Sequence, residues 1–393
     1  MKVAHVGDLH LNLRSRREEA HRVAGDLLED LCRQKPDLIL FAGDLSETAW
    51  SGNEEHELAD FLRAAAEIAE VVAVAGNHDL PNKMPPRSRI PVSELRPTKH
   101  RITVVDSPRI VYTQGAAIAC LPWPRGGRLL AVTGDATKEE RHAAGVAGLR
   151  AILLAWRAEL EQFDGARILL AHTHVRGARL GAHVPERQDF ETGVEDLAGT
   201  GVDYVALGHL HEHQHWIWNV DGRAVPVVYA GSLFANTFGE TDSKGYVMVQ
   251  FYEPMPLVPR PDVMLRRWEF VPSTATPLAH INVDFQGIGQ GISGDVTAPA
   301  GSSVRFRYTA TDDNREAAAR AAEQAKAKLL AEGAKDVTIE PVIEPTVRAR
   351  MPEVARAESA ADQVAMLLRQ QGESDERVAR LREMTASLER TES

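Results

Sequence analysis

The chain has 393 residues, 44% of them hydrophobic and 26% charged, with a formal net charge of −11. That is the composition of a soluble globular protein of two or three domains; no apolar stretch is long enough to cross a bilayer, and the acidic balance argues against a protein that coats nucleic acid by charge alone. Cys32 and Cys120, the only cysteines, sit in apolar patterns with no signal-like segment at the start, so buried thiols in the reducing cytoplasm are expected.

Residues 3 to 6 read as a short buried strand running into Gly7-Asp8. Ala20, Val23, Ala24, Leu27, Leu28 and Leu31 recur at helical spacing and predict a helix over 16–33, stopped by Pro36. "DLILFAGD" is a second apolar strand ending at Gly43-Asp44, and "EEHELADFLRAAAEIAE" a second amphipathic helix. A third strand over 71–75 stops at Gly76 and releases Asn77, His78 and Asp79 together. A basic stretch follows, with Lys83, Arg87, Arg89, Arg96, Lys99, Arg101 and Arg109 opposed only by Glu94 and Asp106; its place after His78 suits contact with phosphates. Later strands are "ITVVD", "AAIACLPW", "ARILLAH", "VDYVALGH" and "PVVYAGS", with a helix across 139–162. Alternating strands and helices predict sheets covered by helices, either as two sheets or as one mixed sheet.

The composition changes after Glu253. Residues 254–274 are rich in proline and read as a linker plus an edge strand, "VMLRRWEF". Residues 275–345 form a small α+β unit with a long Ala-rich helix over 313–332. Residues 346–393 are helical: Ser359 and Asp362 resemble a capping box ahead of Val364, Leu367 and Leu368, and a second helix carries Val378, Leu381, Met384 and Leu388 on one side. These two helices either pack back on their own domain or dock a partner.

The chemistry lies at the strand ends. The first strand ends in Asp8 and His10, the second in Asp44, the third in Asn77 and His78, "ARILLAHTH" in His172 and His174, and "VDYVALGHLHEH" in His209, His211 and His213. One such end is an ordinary polar turn; five in one chain place potential ligands together, since carboxyl ends of parallel strands gather on one side. Oxygen and imidazole donors without thiolate suit Mn²⁺, Fe²⁺ or Zn²⁺. More than four donors imply two cations, roughly 3.5–4 Å apart, bridged by a carboxylate, an arrangement suited to in-line displacement at phosphorus.

The ordered series GD-x-H, GD, GNHD, H and GH-x-H over residues 1–253 resembles the calcineurin-like metallophosphoesterase family. The resemblance implies a four-layer α/β/β/α sandwich. By motif position, Asp8, His10, Asp44 and His211 would hold one cation, and Asp44, Asn77, His172 and His209 the other, with His174 a second choice to His172. His78 lies outside that ligand set, placed to protonate the leaving oxygen, with Asp79 orienting it. "DLHLN", "CLPWPRGG" and "VVYAGSLFANTFGETDSKGYVMV" are similar to segments of SbcD-type DNA repair nucleases, and 275–345 to their capping domain. This closer resemblance implies a Mn²⁺-dependent exonuclease on duplex ends and endonuclease on single strands or hairpins. It also implies a homodimer in a heterotetramer with an SbcC-like coiled-coil ATPase bound through 346–393. A same-fold phosphoesterase for a small molecule or phosphoprotein, and a non-catalytic scaffold, are the alternatives left open by the residues themselves.

Overall fold

The computed structural model describes residues 1–11, 14–46, 52–80, 98–124, 137–181, 191–252, 264–285, 292–293, 295–344, 357 and 359–389. In chain order the elements are β1 (Lys2–Val6), α1 (Arg17–Gln34), β2 (Leu38–Phe41), α2 (Gly52–Ile68), β3 (Glu70–Val74), β4 (Ile102–Val105), β5 (Arg109–Thr113) and β6 (Ala116–Leu121). Next come α3 (Lys138–Leu160), β7 (Ala166–His172), the short pair β8 (His174–Val175) and β9 (Glu191–Thr192), α4 (Val194–Ala198), β10 (Tyr204–Gly208), β11 (Gln214–Val220), β12 (Arg223–Tyr229), β13 (Gly245–Phe251) and β14 (Leu265–Pro272). The remainder is β15 (Leu278–Phe285), β16 (Ile292–Ser293), β17 (Ser303–Thr311), α5 (Arg315–Ala331), β18 (Asp336–Glu344), α6 (Ala360–Gln370) and α7 (Asp375–Glu389).

Two six-stranded sheets dominate the described residues, in the orders β14-β13-β1-β2-β3-β4 and β11-β12-β10-β7-β6-β5. The central strands β1 to β4 are parallel, as are β12, β10, β7 and β6, while β13, β14, β11 and β5 run antiparallel to their neighbours. The parallel strands read as continuous apolar runs because both faces are covered. Val3, Leu40, Val72 and Val74 meet Ile118, Leu170, Tyr204 and Val228 between the sheets. On the outer face of the first sheet, Ile39, Phe41 and Val71 meet Val23, Leu27 and Leu31 of α1 and Leu58 and Leu62 of α2. On the outer face of the second, Leu169 and Val205 meet Leu149, Leu153 and Trp156 of α3 and Leu197 of α4. These layers are the expected α/β/β/α sandwich, and they decide for two sheets over one mixed sheet.

Local signals account for the helix boundaries. The α1 stripe Ala20, Val23, Ala24, Leu27 and Leu31 is buried, and the helix stops where Lys35 turns left-handed at φ 51°, donating its N–H to Leu31 O ahead of Pro36. Cys32 lies one position round from Leu31 and is exposed, against the expectation of two buried thiols; Cys120, inside β6, is buried. The α3 start carries a full capping box between Thr137 and Glu140.

The C-terminal third holds a four-stranded sheet in the order β16-β15-β17-β18. Its strands alternate: Val304, Phe306, Tyr308 and Ala310 of β17 are buried between exposed or half-buried neighbours, and α5 buries Ala318, Ala322, Ala325 and Leu329 at helical spacing. Ser359 accepts from the Asp362 N–H at 3.1 Å and opens α6, which is tied to α7 by Arg382 and Asp362 at 2.7 Å. The chain divides into two compact units, Met1–Ile281 with Val296–Arg305 and Ala327–Thr338, and Asn282–Asp295 with Phe306–Lys326 and Ile339–Ser393. No helix among the described residues is long and apolar enough to cross a membrane.

One buried polar group in the inter-sheet core has a measurable consequence. His5 of β1 is fully buried; its Nε2–H donates to Leu207 O at 3.1 Å, and its Nδ1 accepts from the Tyr204 hydroxyl at 3.0 Å. Burial pushes the imidazole down to about 3. Below its unfolded value near 6.5, the unfolded chain takes up a proton that the folded chain refuses, so stability is full above that pH and is lost as pH falls towards 3. At pH 5 the loss from this one residue is about 2 kcal/mol. Urea unfolding of the metal-free chain at pH 8 and pH 5 is expected to show a smaller acid destabilisation in His5→Gln than in wild type. Equal pH dependence in the two chains would contradict this assignment.

Candidate metal centre

The candidate ligands leave the carboxyl ends of β1, β2 and β3 in one sheet and of β7 and β10 in the other. Tight turns make this convergence possible. Asp44, His10 and His209 take positive φ values of 48°, 43° and 107°, conformations that cost energy for a residue with a side chain and that cluster at functional sites. The Leu9 and His10 N–H groups both donate to Asp44 O at 3.0 Å, binding the first turn to the second. Two glycines are required by close approach: a Cβ on Gly43 would lie 2.3 Å from His172 Nδ1, and one on Gly76 would lie 2.1 Å from Asp44 Oδ1.

Asp8, His10 and His211 each offer a ligand atom, all within 4.8 Å of one another, and so do Asp8, Asp44 and His172. Asp8 belongs to both groups, and both of its oxygens accept the His209 N–H, at 3.0 and 3.1 Å. Asn77 joins the second group: its Oδ1 lies 3.0 Å from His172 Nε2 and 3.2 Å from His209 Nδ1. All seven residues expected to hold cations are therefore gathered in one place. His174 lies at the margin, its ring centroid 6.0 Å from that of His209.

The hydrogen bonding reveals what this arrangement lacks. His172 Nδ1 faces Ala42 O at 2.7 Å, so the proton of a neutral ring sits on Nδ1 and donates to that carbonyl. Its Nε2 is then a lone pair, yet it faces Asn77 Oδ1 at 3.0 Å and Asp44 Oδ2 at 3.3 Å. Acceptors converge on acceptors, a crowding that a positive charge among them relieves. A proton on His172 is one solution: burial opposes it, but Asp44 and then Asp8 outweigh burial and push the imidazole up to about 9. A divalent cation is the other. His209 shows the same want, since its buried Nε2 has no partner among the described residues. Burial and the neighbouring His172 hold His209 well below its ordinary value, so it stays a neutral donor. The donor set, buried carboxylates with imidazoles and one amide oxygen, fits divalent cations.

His78 is half-buried beside the group. Its N–H donates to Asp44 Oδ1 at 2.8 Å, and its ring stands edge-on to His10 at 5.0 Å between centroids. Asp79 is fully buried, and its carboxylate accepts from the N–H groups of Gly76 at 2.9 Å and of Leu45 and Ser46 at 3.3 Å. It pins the third strand's turn, which carries His78, to the second strand's turn. Burial and the Asp44 carboxylate push Asp79 up to about 6.

Two supports escaped the sequence reading as named site residues. Trp123, held by its N–H to Ala75 O at 2.9 Å, sets its indole against His209 at 4.7 Å and His172 at 5.7 Å. Glu240 lies 3.4 Å from His211 Nδ1 and accepts from Lys244 at 2.7 Å. Their sequence signal lies in "CLPW" and "FGETDSK", two segments that carry the resemblance. Of the basic stretch, Lys83, Arg87, Arg89 and Arg96 lie outside the described residues, and Arg101 is paired with Glu70 at 2.5 Å.

Comparison with known proteins points to one family. The family described as calcineurin-like phosphoesterase matches residues 1–213. The DNA double-strand break repair protein Mre11 of Methanopyrus kandleri is 34% identical over a match covering 28% of this chain and 29% of that protein. The match therefore spans under a third of that relative's length. Among solved structures, a dimetal phosphatase from Danio rerio is similar at 13% identity and a TM-score of 0.38, covering 64% of this chain and 93% of that one. The protein TT1561 of Thermus thermophilus is similar at 16% identity and a TM-score of 0.34, covering 59% of this chain and 89% of that one.

Proposed function

The chain belongs to the calcineurin-like phosphoesterase family and is a metal-dependent phosphoester hydrolase, and from that premise we propose that its substrate is DNA. In this reading it is the Mn²⁺-dependent nuclease subunit of an SbcCD-like cytoplasmic repair complex, cutting duplex ends as an exonuclease and single strands or hairpins as an endonuclease. The observation that carries the substrate class is the similarity to the Mre11 repair protein of Methanopyrus kandleri. A small-molecule phosphoesterase of this family also has no need of the added α+β sheet and helical hairpin. On α6 and α7, Met366 and Leu367, and Met384 and Leu388, are exposed, an apolar surface that suits the proposed coiled-coil ATPase partner.

Asp8, His10, Asp44 and His211 would hold one cation, and Asp44, Asn77, His172 and His209 the second. When bound, the pair supplies Lewis acidity and lowers the pKa of a water molecule near the phosphate. The Asn77 side chain would help neutralise charge developing on a non-bridging oxygen. His78, outside the ligand set, would hand a proton to the departing sugar oxygen, while Asp79 holds the turn that positions it.

With Mn²⁺, the purified chain is expected to cleave end-labelled duplex and single-stranded DNA, and to leave 2′,3′-cyclic nucleotides largely intact. Hydrolysis of the cyclic nucleotide with DNA untouched would replace the nuclease reading by the small-molecule one. Hydrolysis of neither, in a chain that binds Mn²⁺, would favour a scaffold.

A further inference from the structure

Two imidazoles at the candidate centre are held through their Nδ1 atoms by acceptors of different charge. His172 Nδ1 donates to a neutral main-chain carbonyl, Ala42 O, at 2.7 Å. His211 Nδ1 faces a carboxylate, Glu240 Oε2, at 3.4 Å. Glu240 is only 5% exposed, and a carboxylate at that depth needs a full set of donors. It has them: Lys244 Nζ at 2.7 Å, the Asn236 N–H at 3.2 Å and the Thr237 hydroxyl at 3.4 Å. Lys244 is itself buried and donates to His211 O at 3.1 Å, so both ends of His211 are tied to one ion pair.

This arrangement has one chemical effect on His211. With the proton on Nδ1 aimed at Glu240, the Nε2 lone pair is turned towards His10 Nε2, 3.1 Å away, and towards the Asp8 group. An anionic acceptor fixes both tautomer and ring orientation, and it makes the opposite nitrogen a stronger donor to a cation. The neutral acceptor behind His172 fixes tautomer with less electronic effect. The two halves of the centre are thus supported unequally.

We propose that Glu240 is a positioning residue for His211, and that it makes the Asp8/His10/His211 position dependent on the Glu240–Lys244 pair while the Asp44/His172 position is independent of it. The proposal rests on the reading of this cluster as a two-cation centre. It assigns a role to the loop 236–244 that contact with substrate does not require.

The test is titration of the full-length chain with Co²⁺, followed by its visible absorption spectrum, for wild type, Glu240→Gln and Thr237→Val. Wild type is expected to load two ions. Glu240→Gln should keep one step at wild-type affinity and weaken the other about 10–100-fold, with a changed absorption band for that step alone. Thr237→Val removes a different partner of Glu240 and should titrate like wild type. A Glu240→Gln chain that loads both ions as wild type does, or weakens both steps equally, overturns the proposal alone. A wild-type chain that takes up no Co²⁺ overturns the two-cation reading and this proposal with it. Should the glutamine variant fail to fold, Glu240→Asp keeps the charge beside Lys244 but draws the carboxylate back from His211; it should weaken the same single step, and wild-type titration in that variant equally overturns the proposal.

Discussion

Asp44→Asn is expected to lose both cations and all hydrolysis above background. Asp44 is buried; its Oδ2 lies 3.3 Å from His172 Nε2, and its Oδ1 accepts the His78 N–H at 2.8 Å. Burial alone would favour the protonated acid, but His172, His78 and His10 hold the carboxyl well below its usual range, so it is an anion at any working pH. Removing that charge removes the group proposed to be shared by the two cation positions. Asparagine is the cleaner substitution, because position 44 sits at φ 48° and asparagine tolerates the left-handed region where alanine is strained. Its main-chain carbonyl, which receives Leu9 and His10, is unchanged. Metal content after equilibrium dialysis against Mn²⁺ decides the matter: about two ions per chain in wild type and none in the variant. One ion retained would mean that Asp8, the carboxylate common to both groups, carries the bridge instead.

How the strand ends were legible in the sequence, while their supports were not, has a physical basis. Asp8, Asp44, Asn77, His172, His209 and His211 each follow an apolar run that could only be a buried strand, so their convergence followed from the parallel-sheet rule. Glu240, Lys244 and Trp123 act through contacts between segments distant in sequence, and nothing in local periodicity records such a contact. Strand β11 escaped for a related reason. It is an edge strand with Ile217 and Trp218 exposed, so its alternation does not separate polar from apolar residues, and it begins directly after the histidine run. Cys32 was misplaced because an apolar neighbourhood in sequence is not a buried face: Leu31 points inward, and the next residue is turned by about 100°. Sequence adjacency pairs Asp79 with His78, whereas its carboxylate accepts three main-chain N–H groups, a pattern visible only once two turns have been brought together.

His78→Ala should keep its cations and lose about 10²–10⁴-fold in kcat on DNA. The imidazole stands beside the ligand group without belonging to either set of candidate ligands, edge-on to His10, on a main chain fixed by Asp44 and by the Asp79 turn. A sugar alkoxide is a poor leaving group, so the proton delivered to it lowers the barrier substantially. A p-nitrophenolate leaves readily without one. The variant should therefore be slowed strongly on DNA and only slightly on a p-nitrophenyl ester of thymidine monophosphate, with unchanged Mn²⁺ content in both cases. This contrast separates proton donation from a general distortion of the site, which would slow both substrates alike. Equal losses on the two substrates, or loss of Mn²⁺, would make His78 a structural residue; undiminished cleavage of DNA at full Mn²⁺ occupancy would remove it from the reaction altogether.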